Sequence, residues 1–290
     1  MKYKQKILIL FTLIFIININ FFSIYASNTI TENKPNVIHQ FDENTQLKTN
    51  TEKVAHPLQS DFFGYNFKDQ SPIFSVDCTN DETRKGKVAF SFDSAYINLY
   101  TIKLLDILDK YNIKSTFFMT EEWVESNPEL VKEVSKRGHE IGNHSYKHPD
   151  FTKVSIDRCV QELTICHTAV YNTIGVNMNL FRFPYGSYSP TTVTIAKNMG
   201  YYPIQWSIDT LDWKDDSADA IMKRFNNQSK NLKEGAIILM HNGAKYTPDV
   251  LEQIIAKVYE KGLQVVKVSD LIYDKNFYVL NGVQYKFPNQ

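Results

Sequence analysis

The sequence predicts an α/β fold built round a parallel sheet, and three observations lead there. Between Pro72 and Ile272, seven short apolar runs alternate with stretches whose apolar residues recur at helical spacing. The alternation holds over about 185 residues, which implies parallel strands joined by helices, in an open doubly wound sheet or in a barrel. Polar residues that carry chemistry stand at or just past the C-terminal ends of the runs: Asp93, His144, Arg182, Asp209 and His241. In a barrel, that end is where sites are built.

The elements follow in order. Lys87-Val-Ala-Phe-Ser-Phe-Asp93 is a short apolar run of the buried-strand kind, and Tyr100 to Lys110 places Ile102, Leu105, Ile107 and Leu108 at helical spacing. Thr116–Met119 is a second strand, and Pro128 opens a helix that ends at Gly138. Glu140–His144 is a third strand, followed by a long helix from about Ser155 to Asn172. Leu180–Phe183, Tyr202–Ile208, Ala236–Met240 and Gln264–Val268 supply four more strands, with helices starting near Pro190, Ser217 and Thr247.

Composition narrows the class. Hydrophobic residues make up 43% and aromatics 13%, which excludes a mostly disordered chain and a small disulfide scaffold. Thirty-two basic residues balance 32 acidic ones, so total charge gives no sign of nucleic-acid binding. Lys2, Lys4 and Lys6 precede a long apolar run that leads to Tyr25-Ala26-Ser27, the pattern of a secretory signal at residues 1–26. The alternative is an uncleaved anchor, against which Asn18 and Asn20 stand, and only that case brings a membrane into play. Either way the remainder is expected outside the cytoplasm, secreted or at the cell surface. Cleavage would leave 29 basic against 32 acidic residues, a mildly acidic protein. Residues 27–71 are polar and without a sustained period, the domain proper spans 72–273, and 274–290 form a C-terminal tail. A monomer is expected. Cys159 and Cys166 are seven apart in a helical pattern, about 10.5 Å between Cα atoms, too far for a disulfide within one helix. Cys78 leaves a bridge to one of them open, and three unpaired thiols are the expectation.

No GxGxxG follows the first strand, no GxxxxGK occurs, and no GxSxG is present, so dinucleotide, P-loop and serine-hydrolase readings lose their support. His144 and His148 are four apart, so one helical turn would bring both imidazoles to one face, suited to Zn²⁺ or a similar divalent ion such as Co²⁺. Asp93 is a candidate general base beside such an ion.

Phe90-Ser-Phe-Asp93, His144-Ser-Tyr-Lys-His148, Arg182-Phe-Pro-Tyr185, Asp209-Thr-Leu-Asp-Trp213 and Leu239-Met-His241 resemble, in order, the five motifs of the polysaccharide deacetylases, the NodB-homology domain of carbohydrate esterase family four. Ser71–Asp77 and Leu239–Pro248 look most like its sporulation-associated branch. The resemblance implies an irregular (β/α)7 barrel and metal-assisted removal of acetyl groups from N-acetylated sugars, with an N-acetylated polysaccharide as the partner. It further implies that Arg182 holds Asp93, that His241 is the general acid with Asp209 holding its imidazole, and that Trp213 and Leu239 line a slot for the acetyl methyl. Backbone N–H groups near Tyr185 would stabilise the oxyanion.

One position departs from the family pattern: a second Asp usually follows the first and binds the metal, and here Ser94 stands in its place. A hydroxyl is a weak ligand beside a carboxylate. The metal then sits on His144 and His148 with Asp93, Ser94 or water completing the shell, or binds weakly, or the site is degenerate. The expected function is a secreted deacetylase of a cell-wall N-acetylhexosamine polymer, peptidoglycan first. The alternative is a catalytically silent glycan-binding surface protein.

Overall fold

The computed structural model describes residues 70–287. The N-terminal signal pattern and all but the end of the polar segment after it lie outside these residues. Among the described residues, no helix is long and apolar enough to cross a membrane.

The central sheet is built from β2 (Lys87–Ser94), β3 (Thr116–Met119), β4 (Glu140–Asn143), β5 (Leu180–Phe181), β6 (Tyr202–Pro203), β7 (Ile208–Asp209), β8 (Ile237–His241) and β9 (Gln264–Val266). Its order is β6-β5-β4-β3-β2-β8-β7, and every pairing is parallel. Ala89 pairs with Ile237 of β8 and with Val266 of β9, so β9 lies on the edge of β2 that β3 takes further along. The two ends of the order, β6 and β7, are the two halves of one extended segment. Tyr202–Pro203 pairs with β5 and Ile208–Asp209 pairs with β8, so a single bent stretch joins the sheet's edges. Counted this way there are seven strands, and the fold is an irregular (β/α)7 barrel.

The helices are α1 (Thr101–Lys110), α2 (Glu121–Ser126), α3 (Pro128–Lys136), α4 (Ile156–Ile174), α5 (Pro190–Asn198), α6 (Ala218–Asn227), α7 (Thr247–Glu260) and the short α8 (Val268–Leu271). Their starts are written locally. The hydroxyls of Ser155, Ser189 and Ser217 accept N–H bonds at the first turns of α4, α5 and α6. Gly175, with φ 71°, closes α4 in the left-handed conformation that glycine adopts without penalty.

Strand alternation sets the layers and places the site. Val88, Phe90 and Phe92 of β2 pack into the larger core with residues of the helices, including Leu104, Leu163 and Leu251. Ala89 belongs to a second core with Phe118, Leu180, Ile204 and Ile237. Asp93 shares the parity of Ala89 and Ser91, and His241 that of Ile237 and Leu239, so both are carried into the barrel mouth. All three cysteines are buried and unpaired, as expected.

A second, three-stranded sheet packs beside the barrel in the order β1 (Ser75–Val76), β11 (Val283–Lys286), β10 (Phe277–Leu280). Residues 274–290, read from sequence as a tail, thus include a β-hairpin. Its turn is Asn281-Gly282, with φ 51° and 77°, the pair of positive angles a two-residue hairpin turn requires.

Candidate active site

The C-terminal ends of β2, β4, β5, β7 and β8 surround a cleft of about 610 Å³. Asp93, His144, His148, Tyr185, Asp209, Trp213, Leu239 and His241, all singled out from sequence, line it. Arg182 lies behind them, fully buried.

Asp93 is held on one side only. Arg182 Nη1 donates to its Oδ1 at 2.7 Å, while Arg182 Nη2 donates to Ser91 Oγ at 2.9 Å and to the Gln205 carbonyl at 3.2 Å. The guanidinium carbon also lies 4.2 Å from the centre of the Phe118 ring. Burial works to raise the Asp93 pKa, but the Arg182 guanidinium, with the His241 imidazolium, outweighs it and holds the carboxyl below its ordinary range. Asp93 is therefore ionised at neutral pH, and its second oxygen, Oδ2, faces the cleft 3.4 Å from His144 Nε2.

The two histidines converge, though not on a helix. His148 sits at φ 53°, and its N–H is held by Ser145 Oγ at 3.0 Å in a tight loop after β4. His144 Nε2 and His148 Nε2 are 3.1 Å apart. Burial pushes both imidazoles toward the neutral form, His148 down to about 3. Neutral imidazoles are what a divalent ion requires, and nitrogens about 2.0–2.1 Å from one ion fit this separation. The pair thus fits a metal as two nitrogen donors. Ser94 does not join it. By alternation Ser94 falls on the face of Phe90 and Phe92, it is absent from the cleft lining, and its buried hydroxyl has no hydrogen-bond partner. Among the described residues, no three His, Cys, Asp or Glu side chains are arranged to hold a metal.

His241 departs from the sequence expectation in its partner. Asp212, not Asp209, holds the imidazole: Oδ1 lies 2.7 Å from His241 Nδ1, and Oδ2 accepts the His241 N–H at 2.8 Å. Thr247 Oγ1 donates to the same Oδ2 at 2.5 Å. Burial lowers the His241 pKa, but the Asp212 charge and hydrogen bond outweigh it, so the imidazolium is favoured above its ordinary range. Asp209 instead caps its own turn, accepting the Leu211 N–H at 2.8 Å. Burial raises its pKa. The reversal to Asp212 comes from Leu211, which takes a left-handed φ of 50° and swings the next carboxylate under β8. Two Asp residues in Asp209-Thr-Leu-Asp212 were visible in the sequence, but nothing local announced that turn.

At the mouth, Tyr185 takes φ 60° in a turn whose bonds are made by Gly186 and Ser187 N–H, leaving its own N–H out of that ladder. Tyr96, Tyr185 and Trp213 are 73%, 66% and 56% exposed, an aromatic rim of the kind sugar rings stack on. Leu239 is buried at the floor beneath them.

A polysaccharide deacetylase family model matches residues 80–204. The chain is 33% identical over 194 residues to the peptidoglycan-N-acetylmuramic acid deacetylase PdaA of Bacillus subtilis, which covers 67% of this chain and 74% of that protein. The chain belongs to the polysaccharide deacetylase family. Another member, the peptidoglycan-N-acetylglucosamine deacetylase of Bacillus cereus, is 34% identical over 191 residues, covering 64% of this chain and 68% of that one. Among solved structures, a family-four pseudoenzyme from Bacillus anthracis superposes with a TM-score of 0.65 at 28% identity, covering 75% of this chain and 73% of that one. The irregular barrel expected from the five motifs is thus the fold of the polysaccharide deacetylases, with the motif residues at its strand exits.

Proposed function

We propose that this polysaccharide deacetylase is an exported, metal-assisted enzyme that hydrolyses N-acetyl groups of a cell-wall N-acetylhexosamine polymer, peptidoglycan first. One observation carries the reading: the Asp93 carboxylate and the His241 imidazole, each held by its own buried partner, stand side by side in the lining of one cleft. Asp93 and His241 are register partners on adjacent strands, about 4.8 Å apart along the sheet. A glycan-binding surface has no use for both a base and an acid so placed.

A divalent ion held by His144 and His148, with Asp93 Oδ2 beside them, would polarise the amide carbonyl and acidify a neighbouring water. Asp93 takes the proton of the attacking water through Oδ2, because Arg182 occupies Oδ1. The Tyr185 N–H, left out of its own turn's bonds, is the donor assigned to the negative charge that develops on the carbonyl oxygen. His241 gives its proton to the departing nitrogen, and Asp212 keeps the imidazole in the tautomer that does so. Acetate and a free amine leave, and the proton on Asp93 returns through solvent to His241. The aromatic rim offers ring faces for a sugar to stack on, and Leu239 at the floor offers apolar contact to the acetyl methyl. Export rests on the charged, apolar and small-residue pattern of residues 1–26.

The second reading, a silent glycan binder, draws on the Bacillus anthracis pseudoenzyme neighbour and on the two-histidine seat. Acetate release separates the two. The full chain, supplied with Zn²⁺ or Co²⁺, is expected to release acetate from peptidoglycan or a chitooligosaccharide. Glycan binding with no acetate from any of these substrates overturns the enzyme reading.

A further inference from the structure

The two histidines are supported differently. His144 Nδ1 lies 2.9 Å from the main-chain carbonyl of Arg182, which only accepts, so Nδ1 carries the proton and Nε2 a lone pair. His148 Nδ1 lies 3.1 Å from the hydroxyl of Tyr96, which both donates and accepts. The two Nε2 atoms face each other at 3.1 Å. Two lone pairs at that distance repel. Either His148 Nε2 bears a proton and donates it to His144 Nε2, or a cation lies between them. A neutral imidazole carries one N–H, so the first arrangement leaves His148 Nδ1 bare, needing a donor. The second puts the proton on Nδ1, needing an acceptor.

We propose that Tyr96 is a positioning residue for both arrangements: its hydroxyl donates to His148 Nδ1 when the imidazoles bond to each other, and accepts from Nδ1 when a divalent ion sits between them. The proposal rests on the reading of the pair as a metal seat. On passing from one state to the other, His148 loses the Nε2 proton to water and gains one at Nδ1, so the pair neither takes up nor releases a net proton. A backbone carbonyl at this position would lock the second state and an ammonium the first. A tyrosine locks neither. Its position suits the reversal. Tyr96 is 73% exposed and its hydroxyl also neighbours that of Tyr185, so either orientation of its O–H leaves water or that hydroxyl to satisfy the unused valence. Its ring meets the His148 ring edge to face at 5.5 Å, and Tyr185 meets His148 at 4.5 Å, so the imidazole is held in place while the proton moves.

The test uses the full chain with ¹⁵N-labelled histidine, read by NMR with chelator present and then with Zn²⁺ added. Expected is an Nδ1–H tautomer for His144 throughout, and for His148 a change from Nε2–H to Nδ1–H on adding Zn²⁺. Tyr96→Phe, which keeps the ring, is expected to weaken Zn²⁺ binding about tenfold, at the lower end of what losing a metal ligand's hydrogen-bond partner costs. The proposal is overturned if His148 keeps one tautomer in both conditions, if Tyr96→Phe binds Zn²⁺ within twofold of the unaltered protein, or if that protein binds no Zn²⁺. A tautomer change without acetate release would sink the catalytic reading and leave this one standing. Acetate release with a fixed tautomer would do the reverse.

Discussion

Replacing Asp212 by Asn probes the acid side of the site. Asp212 is fully buried and its two oxygens receive the His241 ring N–H, the His241 main-chain N–H and the Thr247 hydroxyl. Asparagine keeps the volume but removes the charge that stabilises the imidazolium. A hydrogen bond to a charged group contributes about 1.5–3 kcal/mol. At about 1.36 kcal/mol per pKa unit, its loss lowers the His241 pKa by about 1–2 units. His241 works protonated, and its pKa is raised in the folded protein, so activity is lost as pH rises through that raised value. In Asp212→Asn, the alkaline limb of the kcat/KM profile for acetate release therefore moves to lower pH by about 1–2 units, and the rate falls about 10- to 150-fold. Asp209→Asn is the control, since Asp209 touches Leu211 N–H and not the imidazole. Its alkaline limb should stay within a few tenths of a unit. A shift in Asp209→Asn with none in Asp212→Asn would refute the reasoning.

Arg182→Met should raise the Asp93 pKa, move the acidic limb to higher pH, and cost about 3–5 kcal/mol in urea unfolding, because it leaves a buried carboxylate unpaired. Gly235→Ala should destabilise by about 2–4 kcal/mol in the same assay: φ is 80°, and a Cβ there would stand 1.8 Å from the Val76 carbonyl oxygen. Chelation should abolish acetate release and Zn²⁺ should restore it, with the urea midpoint nearly unchanged, since His144 and His148 lie at the barrel mouth and outside both apolar cores.

The strands were legible because their residues are apolar enough to be buried on both faces, and the helices because serine caps and glycine stops punctuate them. Short range and long range part at Tyr202–Asp209. Its composition marks one strand, but only the closed sheet shows that its halves serve opposite edges and bend between them. The helix Glu121–Ser126 has no legible periodicity in the sequence, since six residues carry barely more than one period. Asn281-Gly282 is a strong hairpin signal in a segment read as tail, and the partner that gives it a purpose, Ser75–Val76, lies about 200 residues earlier. At the site, the residue types were legible and their pairings only partly so. Arg182 reaches Asp93 as the motif implied. Asp209 and Asp212 exchanged roles on the conformation of Leu211, a bulky residue in a region of φ that bulky residues seldom occupy. Ser94 stands next to Asp93 in sequence and on the other face of β2 by alternation, so its side chain leaves the cleft to Asp93 and to the two converging histidines.

The central claim is that Asp93 and His241 act as a base and acid pair on an N-acetylated glycan. Single-turnover acetate release by Asp93→Asn, compared with the unaltered protein at matched Zn²⁺ content on the same chitooligosaccharide, tests it most directly. The account predicts acetate and free amine in equal amounts from the unaltered protein, and a rate at least about 100-fold lower from Asp93→Asn with glycan binding retained, as expected for loss of a general base. Equal rates from the two proteins would contradict it.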